Sequence, residues 1–509
     1  MRITNKIMQR NNLSNINSNK VYQDKLSNQM STQKKINRPS DDPVVAIRAL
    51  RLRSSVTEIT QYYSKNIPDA NSWLEVTEGA LKNLSEIITS MISQSTKGAN
   101  GDLESKDRQI ILEQLKALGE EVYTTGDADY AGRYVFTGYR TDTSLSFPEA
   151  ASQTYEITEQ LDKTALGSFT KVESGDLLNW TSANYGNLTN SDMQSVEALE
   201  VYRIRLAYDD CEAGYAPTIS YQDADGNQKT MTATVAHSYD APSPYKQAMD
   251  DDAVIFVPET GELLLGKNKY AELSAVKDDV STTENEGEIR VTYQKSSWEK
   301  GDLRPEHYFY CKSDPGQAEE IEYNQVFLKG EKEKQSIEYD VGFNQTIRVN
   351  STADECFQHG IGREVDDLVN AMQEVVDLED IQSKISRQLE NATGTAAETL
   401  KTQLDAVEKA LTFSKDKCQK MFEGGITSFQ GYLDAANLSI TNCGTRSSKL
   451  ELIENRMQNQ KTSFETLKSE NEDADITEVA IELKAAGLTY EAALMATGKV
   501  MQTTLLNYI

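Results

Sequence analysis

Apolar residues recur every seven positions near both ends of this chain and lose that rhythm in its middle. Leu74, Thr77, Leu81, Leu84, Ile88 and Met91 alternate spacings of three and four, and Ile111, Leu115, Leu118 and Val122 resume the pattern. Leu450, Ile453, Met457, Gln460, Phe464 and Leu467 keep the same alternation. Beyond an acidic break so do Val479, Leu483, Ala486, Tyr490, Ala493, Thr497 and Val500. This spacing sets side chains on one narrow helical stripe, which buries itself against one or two partner helices. The two ends are therefore predicted to pair, although the stripes alone fit a helical bundle of no further meaning equally well.

Other elements follow from local signals. Residues 1–36 lean weakly helical. Leu13, Ile16, Leu26 and Met30 make a stripe that Lys20 and Gln23 interrupt, and seven of the first 30 residues are Asn. Such a helix is marginal without partners, and disorder in the free monomer is expected for it. Asn37 to Pro43 stops one helix and starts the next, because each proline pushes its predecessor out of the helical region. Asp42 is placed to cap, and Pro43 to occupy a first turn where its missing N–H costs nothing. A long helix is predicted from Val44 to about Ser95 and a second from about Leu103 to Thr125. Strand-like alternation with turn punctuation fills about Thr143 to Asn350. Helix returns from Arg363 to Glu470, broken near Gly394, at Gly424-Gly425 and at Gly444, and a last helix starts near Ile476. The fold class is mainly α with a β-rich insert.

Length adds a domain count. A chain of 509 residues exceeds what one core supports, so about three domains are expected. The formal net charge of -28 argues against nucleic acid as a partner, since a polyanion needs a basic footprint. Residues 1–65 nevertheless carry 12 Lys and Arg against 4 Asp and Glu, a net of +8 that leaves -36 on the rest. No apolar run is long enough to span a membrane, and residues 1–30 lack the apolar core of a secretory signal. Read alone, that points to the cytoplasm. Five cysteines, Cys211, Cys311, Cys356, Cys418 and Cys443, are far apart and never in a C-x-x-C pair, so neither a disulfide framework nor a zinc site is indicated.

Catalytic chemistry is scarce. His237, His307 and His359 are the three histidines, and none has metalloprotease spacing. Gly360-Ile361-Gly362 lacks the rest of a phosphate loop and reads as a helix boundary. Asp223 to Asn227 resembles the start of a calcium loop but has no Glu at the twelfth position, and reads as a hairpin turn. No catalytic set, metal site or cofactor is expected, and the chain is not expected to be an enzyme.

Two short stretches carry a family resemblance. Asn37-Arg38-Pro39-Ser40-Asp41-Asp42-Pro43-Val44 and Gly132-Arg133-Tyr134-Val135-Phe136-Thr137-Gly138 resemble signatures of the bacterial flagellar hook–filament junction proteins, the flagellin-like hook-associated protein 3 family. Ile337 to Asn350, Gly444-Thr445-Arg446 and the ending from Tyr490 to Ile509 support the likeness, which covers about the first 140 and last 170 residues. The resemblance implies an axial structural protein, exported unfolded through the flagellar type III apparatus with a chaperone. It would polymerise as a homo-oligomeric ring at the tip of the hook, outside the cell, between a neighbouring hook-associated junction protein and flagellin. Under it, residues 1–42 and 470–509 become an axial coiled coil on assembly, 43–143 and 355–469 a helical bundle, and 144–354 an outer β-rich domain. Leu13, Ile16, Leu26, Met30, Leu483, Tyr490, Leu494 and Val500 would line the coiled coil. Pro39, Asp41, Asp42 and Pro43 would form the hinge and cap, and Gly132, Arg133, Tyr134, Phe136 and Gly138 the family turn. Flagellin itself is the nearest alternative; a surface binding module or enzyme carried by the insert is a more distant one. The chain departs from a minimal family member in its long insert, its extended Arg363 to Lys420 region and its cysteine number.

Overall fold

A computed structural model of the chain describes residues 5–174, 177, 196–223, 225–276, 289–329 and 335–502. Four long helices precede the strands: α1 (Asn5–Thr32), α2 (Pro43–Gln61), α3 (Ile67–Gly98) and α4 (Ser105–Gly126). Three follow them: α5 (Gly360–Leu389), α6 (Thr395–Glu472) and α7 (Ile476–Gln502). Chain contacts divide the protein into two compact units. One comprises Met1–Ala70, Tyr339–Ile347 and Ser448–Ile509; the other comprises Asn71–Glu338 and Arg348–Ser447.

Two features of the helices depart from the sequence reading. The helix from Pro43 to Gly98 contains a five-residue π-helical turn at Tyr62–Asn66. Pro68, just beyond it, explains the position: a proline inside a helix has no N–H to give and crowds the carbonyl four residues back, and a widened turn relieves both. The breaks expected at Gly424-Gly425 and Gly444 are also absent, because α6 runs unbroken for 78 residues. Only Gly394, with φ +68°, interrupts the region. A helical glycine costs about 1 kcal/mol, and packing offsets it here. A Cβ on Gly425 would meet Leu368 at 3.0 Å, so the glycine lets α5 and α6 approach closely.

The second unit holds the main core. Leu74, Thr77, Leu81, Leu84, Ile88 and Met91 on α3 are fully buried, as are Leu115 and Val122 on α4 and Ile361, Leu368, Met372 and Val375 on α5. Between α4 and α5 in sequence lie the two-stranded hairpin of β1 (Asp129–Tyr130) and β2 (Arg133–Tyr134), two larger sheets and a second two-stranded hairpin. The six-stranded antiparallel sheet has the order β13-β12-β3-β11-β6-β7, from β3 (Tyr155–Leu161), β6 (Thr218–Gln222), β7 (Gln228–Thr232), β11 (Ile289–Lys295), β12 (Tyr310–Ser313) and β13 (Ile321–Tyr323). The five-stranded sheet has the order β4-β5-β10-β9-β8, from β4 (Leu166–Glu173), β5 (Glu197–Arg205), β8 (Thr234–Val235), β9 (Val254–Val257) and β10 (Glu262–Leu265), with only β8 and β9 parallel.

The insert joins α5 through ions rather than oil. Arg203 on β5 pairs with Glu262 and Asp367, and Arg205 with Glu364 and the same Asp367. Arg363 reaches back to Asp209 at 2.8 Å and donates to the Leu206 carbonyl at 3.2 Å. Burial pushes the Asp367 carboxyl up, but Arg203 and Arg205 outweigh it and hold the group below its ordinary range. In the first unit, the hairpin of β14 (Glu338–Gly342) and β15 (Gln345–Arg348) lies against the π turn: Asn66 donates to the Asp340 carbonyl at 2.8 Å, and the Tyr62 and Phe343 rings meet edge to face at 5.9 Å.

Candidate assembly interface

The chain's ends meet in the first unit, where α1 and α7 pack antiparallel. Leu26, 2 % exposed, is buried with Val479 and Ala486, and Ala474 and Leu483 pack on that cluster. The Tyr22 hydroxyl donates to Glu482 at 2.9 Å. On α7 the shielded line is Val479, Leu483, Ala486, Tyr490, Ala493 and Thr497. On α1 it is Asn12, Ile16, Asn19, Gln23, Leu26 and Gln29. Four of these six are amides. Gln23 lies opposite Gly487, where a Cβ would sit 3.8 Å from its Nε2.

Placement of the seam residues is therefore mixed. Ile16, Leu26, Leu483 and Tyr490 face the partner helix, whereas Leu13 (63 % exposed), Met30 (39 %) and Leu494 (46 %) do not. The side chain of Val500 lies outside the described residues. Asn12, Asn19 and Gln23 fall with Ile16 and Leu26 in one seven-residue series, legible once Asn and Gln are allowed in a seam. A second difference concerns order. Both helices are formed and paired within one chain, because each thin stripe finds its partner at the other terminus.

Between α1 and α2 the chain turns sharply. Pro39 is the second residue of a β-turn closed by the Asp41 N–H donating to the Arg38 carbonyl at 3.0 Å. The Asp41 carboxylate accepts from the N–H groups of Arg38 and Asn37, at 2.9 and 3.1 Å, and these bonds hold its pKa below the ordinary value. Asp42 is the N-cap of α2, accepting from Val44 and Val45 N–H at 3.0 and 3.1 Å, and Pro43 is the first helical residue. Exposed Val44, Ile47 and Leu50 follow on α2.

The glycine-framed turn belongs to the second unit. Asp129 pairs with Tyr134 and Tyr130 with Arg133, in a tight hairpin whose Gly132 has φ +76°, a conformation that only glycine adopts freely. The Arg133 guanidinium lies 4.9 Å from the ring of buried Trp73, Phe136 meets Phe357 edge to face at 4.7 Å, and Tyr134 is half-buried. Gly138, φ +62°, accommodates the Gln335 carboxamide, which accepts from the Tyr139 N–H at 2.9 Å. These are packing roles.

Among the described residues of the insert the largest polar cluster is already ion-paired within the protein. A cavity of about 670 Å³ between the five-stranded sheet and α5 and α6 is lined by Arg203, Arg205, Glu364, Asp367 and Lys417. Its arginines are already committed to carboxylates of the protein. Among the described residues no group of three or more His, Cys, Asp or Glu is arranged to hold a metal ion. The five cysteines are buried free thiols, pushed up in pKa by burial. No described helix is long and apolar enough to cross a membrane.

Comparison with known proteins places this geometry. Residues 3–141 match the bacterial flagellin N-terminal helical region. Flagellar hook-associated protein 3 of Salmonella typhimurium is 28% identical over 167 residues, 32% of this chain and 52% of that protein. Its Escherichia coli namesake is 28% identical over 145 residues, 28% of this chain and 45% of that protein. Flagellin of Bacillus subtilis is 26% identical over 181 residues, 33% of this chain and 59% of that one. The chain thus spans about half the length of these relatives. A crystal structure of the flagellar junction protein from Legionella pneumophila aligns over 80% of this chain and 99% of its own, at 13% identity and a TM-score of 0.24. A flagellin N-terminal region, helical ends and a β-rich middle make the fold flagellin-like.

Proposed function

We propose that this chain is a flagellar hook–filament junction protein, a structural subunit that joins the hook to the filament. The observation that carries the reading is the pairing of the two chain ends along a seven-residue seam, next to a flagellin N-terminal helical region. Exported unfolded through the type III apparatus with the help of a chaperone, the subunit polymerises as a ring at the tip of the hook, outside the cell. A second hook-associated junction protein and flagellin are its axial neighbours. Leu13, Met30 and Leu494, open in the single chain, offer apolar surface to further copies, while Ile16, Leu26, Leu483 and Tyr490 carry the seam. Pro39, Asp41, Asp42 and Pro43 set the angle at which α1 leaves α2.

Deleting the gene tests the reading: cells should build hooks but shed or fail to elongate filaments, and normal filaments on the deletion strain would sink it. The flagellin reading, which the Bacillus subtilis match favours, is separated by abundance, since a junction subunit is scarce in sheared filaments and flagellin is their bulk. Within a complemented strain, Leu483→Asp or Tyr490→Asp should abolish assembly while the purified monomer keeps its bundle, because a charge in the seam has to be buried unpaired.

A further inference from the structure

Residues 33–42 and 473–475 connect the terminal helix pair to the remainder of the first unit, and they are bonded to each other. Lys34 and Asp473 form an antiparallel β-bridge. The Lys35 N–H donates to the Glu472 carbonyl at 2.7 Å, and the Ala474 N–H to the Gln33 carbonyl at 3.0 Å. Gln33 ends α1 with φ +59°, and the Asn471 carboxamide donates to the Val45 carbonyl at 3.2 Å.

The Glu472 side chain lies at the centre of these bonds. It is 2 % exposed, and a carboxylate so buried keeps its charge only if its oxygens are met. Arg53 of α2 meets both, Nε to Oε1 at 2.6 Å and a terminal nitrogen to Oε2 at 2.7 Å, the fork geometry that makes such pairs strong. The Lys34 ammonium stands 3.7 Å from Oε2 and also bonds Asp473. The carboxylate at the end of α6 thereby touches the first connecting segment and the helix that follows it, and the Lys34 ammonium it meets also bonds the second segment at Asp473.

We propose that the two connections form a single ion-locked joint with Glu472 as its keystone, so that α1 and α7 turn against α2 and the end of α6 together rather than each on its own swivel. A single extended segment rotates freely about its backbone bonds; two segments bonded side by side resist twist, and the ion cluster of Lys34, Asp473, Glu472 and Arg53 fixes their angle. The use of this joint in assembly rests on the junction reading above, but its existence does not.

Pulsed electron paramagnetic resonance on the purified full-length chain tests it. One nitroxide pair replaces exposed Ser14 on α1 and Ser54 on α2; a second replaces exposed Ser463 on α6 and Thr489 on α7. Both should give one narrow distance distribution. In Glu472→Gln, and independently in Arg53→Gln, both distributions should broaden to about twice their width, since opening a local lock populates alternative angles. Circular dichroism identifies any variant that loses helix, and the other variant then decides. If either label pair stays as narrow as in the wild type, the segments are not one joint. No flagellar component enters the measurement, so the joint can fail while the junction function stands, and the reverse.

Discussion

Two helical seams of the same seven-residue spacing behave differently in this molecule. The α3 stripe from Leu74 to Met91 is fully buried along its whole length, whereas the α1–α7 seam buries Leu26, Val479 and Ala486 and leaves amides and half-open apolar residues elsewhere. Spacing decides where a helix packs; side-chain type decides how strongly. The α3 seam carries a core that stands by itself. The terminal seam holds two helices together while keeping Ile481, Leu488 and Met495 exposed along a second face of α7.

The contrast predicts separate unfolding. Leu84→Ala should lower the global unfolding free energy by ~4 kcal/mol, the transfer and cavity cost of a sealed leucine. Leu26→Ala should leave the main denaturation midpoint in place and raise amide exchange throughout α1 and α7, because it removes the one fully buried α1 contact of that pair. Denaturant melts and hydrogen exchange on both variants check this, and a shared loss of the main transition would show that the seams are one cooperative unit.

Legibility followed the same division. The stripes of α3 and α7, the Asp42 cap and the Pro43 start were readable because each depends on neighbours within a turn or two. On α1, Gln23 reads as an interruption of the stripe, since an amide looks like one until the opposing Gly487 is known, and Asn12 and Asn19 share its line. Pro68 is the local signal of the π turn. Gly424, Gly425 and Gly444 suggested breaks that long-range packing overrides. The ionic seam had no local trace at all, because Arg203 and Arg205 find Asp367 about 160 positions away.

Acidity should separate the two units as well. In the first unit Arg53 holds the Glu472 carboxyl below its ordinary value, so the stability it adds is present above pH 4.5 and is lost as pH falls through the lowered value. Glu159 in the second unit has the opposite sign. It is fully buried, accepting from the Ala207 N–H at 2.7 Å and from the Tyr293 hydroxyl, and burial raises its pKa from 4.5 to about 7. The folded state binds that proton more tightly, so the contribution is complete below pH 4.5 and lost as pH rises through about 7. Roughly 3 kcal/mol is at stake, at ~1.4 kcal/mol per pH unit across that gap. Urea melts from pH 4 to 8 should show wild type losing stability relative to Glu159→Gln, whose amide does not titrate. Parallel curves for the two proteins would mean that folding does not shift the Glu159 carboxyl.

The smallest effect expected is the most direct test of why the terminal seam is thin. Gln23 faces Gly487 and the Leu26 cluster, in a line where every other position on α1 but Ile16 and Leu26 is an amide. Gln23→Leu shortens the side chain by one atom, adds apolar area to the seam and replaces an amide whose hydrogen bonds to water weaken on burial. Adding buried apolar surface is worth ~25 cal/mol per Å², so partial burial of one leucine should stabilise the helix pair by about 1 kcal/mol. Hydrogen exchange should slow roughly fivefold across α1 and α7, that energy expressed as an opening equilibrium, with no change in the second unit. If exchange in α1 is unchanged or faster, the amide of Gln23 contributes a specific bond to the seam, and the terminal pair is weak for a reason other than its scarcity of apolar contacts.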